Sequence, residues 1–126
     1  MSAALVPGRV GFAHEAVLVM AESADDRAPG AAITLALCGS WSHEPPCLLA
    51  AHFTGVERSA GEVRLRILFA ARPEDEAQVR TLIHGALVAG SGPNDHGERV
   101  AWELRSDTAS AVRPDEADHA ERLTRS

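Results

Sequence analysis

The chain has 126 residues, a formal net charge of −6, 45% hydrophobic residues and 24% charged ones. That length suits one domain, the composition is that of a globular protein, and the acidic balance without a basic run argues against a nucleic-acid surface. No stretch approaches the ~20 apolar residues of a membrane span, and residues 1–11 lack the basic-then-apolar order of a secretory signal, so the cytoplasm is the expected location. All twelve basic residues are Arg and Tyr is absent. This reads as codon supply in a GC-rich genome, and the arginines imply no phosphate recognition.

In chain order, the first apolar run is 16–20, Ala-Val-Leu-Val-Met. Its length and its valines predict a strand. Asp25 and Asp26 then suit the cap of a helix beginning near Pro29, with 31–37 as its body and Gly39 as its stop. The competing order places a helix at 12–24 and a strand at 32–38, where Ile33, Thr34 and Leu35 also fit a strand. Residues 49–58 are extended in character, and 59–62 (Ser-Ala-Gly-Glu) reads as a turn. Beyond it, Val63, Leu65, Ile67 and Phe69 alternate with Arg64, Arg66 and Leu68. That is the period of a half-buried strand, and the two runs make an antiparallel hairpin.

Pro73 followed by Glu74, Asp75 and Glu76 marks a helix start, since proline suits the first turn and carboxylates suit the positive end of the dipole. Val79, Leu82, Ile83, Ala86 and Leu87 carry its apolar face, and Gly90 and Gly92 end it. Residues 99–105 alternate again, with Val100, Trp102 and Leu104 on one side. The order strand, helix, strand, strand, helix, strand predicts an α+β fold of the ferredoxin-like, split βαβ kind. It would place two helices on one face of a four-stranded antiparallel sheet. Residues 1–106 form the expected single domain, and 107–126 a polar tail with a short helix at 115–123.

Both cysteines and two of the six histidines fall between Cys38 and His52, spaced C-x4-H-x3-C-x4-H. Thiolate and imidazole are the donors a borderline-soft ion prefers, so Cys38, His43, Cys47 and His52 are candidate ligands of a zinc-like ion. Pro45 and Pro46 would stiffen such a loop. The spacing lacks the close C-x2-C and H-x3-H pairs of common zinc sites. Two other uses of these residues stand beside it. Cys38 can be a small core residue with Cys47 and His43 in an ordinary loop, or the two cysteines can form a disulfide that opens and closes with redox state.

His43 beside Glu44 suggests an acid–base pair, and Cys47 with His43 or His52 a thiolate nucleophile. Trp41 is expected in the core, the commoner place for Trp, or else covering the base of that loop or lining a pocket. His14 and Glu15 form a further polar pair at a strand start. Arg64 and Arg66 lie on the sheet face without helices, where they would bind an anion, meet the acids of a second subunit, or be solvated. That face offers no stacking aromatic from this strand, which disfavours RNA. The function expected from sequence is therefore a small protein that binds a metal ion in a structural or sensing role. The alternatives are a metal-free homodimer joined through the open sheet face, or a small cysteine- and histidine-dependent enzyme.

Overall fold

The computed structural model of the protein describes residues 8–38 and 50–125. Strand β1 runs Val10–Val19, helix α1 Ala28–Cys38, β2 Ala51–Ser59, β3 Glu62–Ala71 and α2 Glu76–Val88. A short hairpin follows, β4 Ser91–Pro93 and β5 Arg99–Ala101, then β6 Glu103–Ser110 and α3 Ala117–Leu123. The main sheet has four strands in the order β2-β3-β1-β6. All its neighbours are antiparallel. The first third is thus strand then helix, and the competing helix at 12–24 does not form. Among the described residues no helix is long and apolar enough to cross a membrane.

The alternation of β1 and β3 decides the layers. Ala16 and Leu18 of β1, and Val63, Leu65, Ile67 and Phe69 of β3, join Ile33 and Leu37 of α1 and Val79, Ile83 and Leu87 of α2 in one buried cluster. Leu18, Ile33, Ile67, Phe69, Ile83 and Leu87 are among its fully buried large side chains. Each is worth about 1.5–3 kcal/mol of burial. Helix α1 is apolar nearly all round, so its packed face is set by position against α2 and the sheet, not by a polar stripe. Asp25 does not cap it directly. Its carboxylate accepts the Arg27 backbone N–H at 3.0 Å, and its carbonyl accepts from Ala28. A turn therefore leads into the helix.

Two expectations need correction. The sheet carries three helices, not two. The third, α3, lies on the face opposite α1 and α2, where Ala120 approaches so closely that a Cβ on Gly11 of β1 would sit 2.9 Å from the Ala120 Cβ. A short helix at 115–123 is expected in the tail, but its polar composition gives no sign that it packs on the sheet, because only Ala120 is buried. The strand expected at 99–105 is broken at Trp102. Its backbone N–H turns to the Gly90 carbonyl (2.9 Å) and its indole N–H to the Leu87 carbonyl (2.8 Å). Trp102 so caps the end of α2 while β5 pairs with β4 outside the main sheet.

Candidate functional site

Of the four predicted metal ligands, two lie among the described residues. Cys38 is the last residue of α1 and His52 the second of β2. The fold brings them together, with Cys38 Sγ 3.9 Å from His52 Nδ1. The His52 ring also meets Thr34 Oγ1 through Nε2 at 2.9 Å and the Ala50 carbonyl through Nδ1 at 3.2 Å. Cys38 is disulfide-bonded. His43, Cys47, Trp41 and Glu44 lie outside the described residues. Among the described residues no group of three or more His, Cys, Asp or Glu side chains is placed to hold a metal ion. A groove of about 290 Å³ runs beside His52, between α1 and the edge strand β2, with Gly30, Thr34, Phe53 and Thr54 on its walls and Arg27 at one end. The Thr54 hydroxyl oxygen is buried there with no hydrogen-bond partner among the described residues.

A second constellation joins β1, α2 and β6. Arg80 of α2 lies over the Phe12 and Phe69 rings, 5.8 and 5.2 Å from their centroids. It donates to Glu76 (2.8 Å), to the Ala13 carbonyl (2.7 Å) and to His14 Nδ1 (3.0 Å). A guanidinium only donates, so His14 Nδ1 must accept and its proton sits on Nε2. That Nε2–H points at Asp107 Oδ2, 2.8 Å away. The other carboxylate oxygen, Oδ1, accepts from His84 Nδ1 at 2.7 Å. Burial pushes the Asp107 carboxyl up, but the hydrogen bonds from His14 and His84 outweigh it and hold it below the usual carboxylate range. The chain of contacts thus leads from a half-buried arginine to an imidazole at the surface. The side chains of His14 and Asp107 are 6% and 8% exposed and that of His84 is 55% exposed.

Sequence reasoning singled out His14 but paired it with Glu15, its neighbour on the opposite face of the strand. It missed Asp107 because it placed residues 107–126 in a polar tail, whereas β6 runs to Ser110, and a β-bulge conceals the face as well. The pairing steps from Leu18↔Leu104 to Val17↔Ser106, which leaves Arg105 without an opposite residue. Counted from Val100, Trp102 and Leu104, a strict alternation would turn Ser106 inward and Asp107 outward. One extra residue resets the phase and places Asp107 opposite Ala16, on the helix-covered face. The i, i+4 relation of Arg80 and His84 was the available signal, since it puts both on one side of α2.

On the other face, Arg66 finds its acids within its own chain. It donates to both carboxylate oxygens of Glu116 (2.8 and 2.9 Å), to Glu15 (2.5 Å), to Ser110 (2.7 Å) and to the Ala111 carbonyl (2.7 Å). The Arg66 hydrogen bond holds the Glu116 carboxyl well down, at about 2, with burial opposing and the Arg113 backbone N–H adding to it. Arg64 is exposed and pairs with Glu62 at 3.0 Å.

No protein-family model matches the chain, and no curated protein matches it. Among solved structures it is similar to a hydantoinase/carbamoylase family amidase from Burkholderia ambifaria, with 12% identity and a TM-score of 0.41. The likeness covers 94% of this chain and 33% of that one, so the chain spans about a third of its length. At that TM-score the likeness carries no argument about fold or chemistry.

Proposed function

We propose that the junction of α1 and β2 is a thiol–imidazole site, which binds a zinc-like ion when Cys38 is reduced and loses it when Cys38 is in its disulfide. The carrying observation is the 3.9 Å between Cys38 Sγ and His52 Nδ1. On metal binding the ring proton moves from Nδ1, where the Ala50 carbonyl accepts it, to Nε2, which then donates to the Thr34 hydroxyl. A sulfur and a nitrogen bound to one tetrahedral zinc at ~2.3 and ~2.0 Å stand about 3.5 Å apart. His43 and Cys47 supply the other two donors in this reading. Two molecules of a low-molecular-weight thiol, joined into one disulfide as they are oxidised, supply the two electrons and two protons that convert the protein disulfide to two thiols. Each thiol then gives up its proton on binding the metal.

Equilibrium dialysis against zinc, with and without reductant, tests this. The reduced chain takes up one zinc and the oxidised chain none, and Cys38→Ser and His52→Ala each abolish uptake. Stoichiometric zinc retained by Cys47→Ser refutes the four-ligand arrangement.

The strand order β2-β3-β1-β6, with α1 and α2 packed together on the sheet, supports a ferredoxin-like plan for the domain. A metal-free homodimer is the second reading, favoured by Phe53, which is exposed on the edge strand β2. A concentration-independent monomer in sedimentation equilibrium excludes it.

A further inference from the structure

The hydrogen-bond chain ending at His84 has a feature that a purely structural network does not need. Its buried part is complete without His84, since Arg80, His14 and Asp107 satisfy one another. Yet the second Asp107 oxygen is spent on an imidazole that is more than half exposed. That bond fixes the His84 proton on Nδ1 when the ring is neutral, and it directs the lone pair of Nε2 outward. No hydrogen bond or ion pair among the described residues involves His84 Nε2. The carboxylate that imposes this tautomer cannot turn away. His14 holds Oδ2, and Arg80 in turn forbids His14 any other tautomer.

We propose that His84 Nε2 is a nucleophile for activated acyl compounds approaching from solvent, with Asp107 as the residue that positions it. Nε2 attacks the carbonyl carbon of an activated ester or anhydride, an N–C bond forms, and the bond to the leaving oxygen breaks. The positive charge that develops on the ring is stabilised by Asp107 through the Nδ1–H, which then passes its proton to solvent. Water attacks the acyl carbon in the second half, releasing the carboxylic acid and returning a proton to the ring. No oxidant or metal enters the balance.

The test uses diethyl pyrocarbonate as the acyl donor, with peptide mapping of the modified histidines under mildly alkaline conditions. His96 is the internal control. Its side chain is 74% exposed, more than that of His84, and Asp95 stands 3.9 Å away without fixing its tautomer. Exposure alone predicts that His96 reacts faster. The proposal predicts that His84 reacts several-fold faster than His96, that His14 stays unmodified, and that Asp107→Asn removes the advantage of His84. His84 reacting no faster than His96 overturns it, as does an Asp107→Asn protein in which the ratio is unchanged. Should that variant not fold, nitrogen-15 NMR of the unaltered protein decides: a proton on Nε2 of neutral His84 refutes the assignment, and a proton on Nδ1 supports it.

Discussion

Replacing Glu116 by glutamine removes the charge that ties the C-terminal helix to the sheet. In the folded chain this carboxyl lies at about 2, against 4.5 for the unperturbed group. A displacement of that size corresponds to a ceiling of about 3 kcal/mol at neutral pH. The rim of the Arg66–Glu116 pair meets solvent, and screening reduces the expected contribution to about 1–2 kcal/mol. The sign follows from the direction. The folded value is below the unfolded one, so the stabilisation is complete above about 4.5 and drains away as the pH falls toward 2. Glutamine retains an oxygen that can accept the Arg113 backbone N–H, a 2.9 Å bond in the native protein. Its amide nitrogen takes the place of the oxygen that accepts from Arg66 Nε, so one Arg66 hydrogen bond is lost together with the charge. Urea unfolding followed by circular dichroism, at neutral pH and near pH 2, measures it. Glu116→Gln is expected to cost about 1–2 kcal/mol at neutral pH and close to nothing near pH 2. An equal cost at both ends, or none at neutral pH, would refute the electrostatic reasoning.

Two further outcomes follow from packing and capping. Trp102→Phe deletes the indole N–H that bonds the Leu87 carbonyl at 2.8 Å, and should lower unfolding stability by about 1–2 kcal/mol in the same urea assay. Gly11→Ala puts a methyl group 2.9 Å from the Ala120 side chain, so α3 must lift. Amide exchange should then speed up across 117–123 while the protection of α2 is unchanged.

The parts of the fold that sequence discloses are those where one local rule governs. Pro73 with the acids behind it marks the turn that leads into α2, and the alternation of 63–69 gives β3 with its inward side correctly chosen. The proximity of Cys38 and His52 was also legible, because a helix end and the start of the next strand flank one connection. What escaped depends on long-range contacts. Trp102 fits the period of a strand, but the carbonyls at the end of α2 draw it out of the ladder. α3 has a single buried residue, Ala120, too weak a signal to show that it covers a sheet face. Asp107 belongs to a chain of buried polar groups whose members are separated by up to 93 positions. No local pattern connects them, and the bulge at Arg105 reverses the face that alternation assigns.

That bulge also says where the chain can change length. Without Arg105, Leu104 would still stand opposite Leu18, Ser106 opposite Val17 and Asp107 opposite Ala16, now in an unbroken ladder. One residue can be lost here and every inward side chain of β6 keeps its neighbour. Elsewhere along β6 the same loss shifts one half of the strand by a residue and turns its side chains over. The position is thus a slack link, and a family of such chains would be expected to vary in length there before it varied at Asp107.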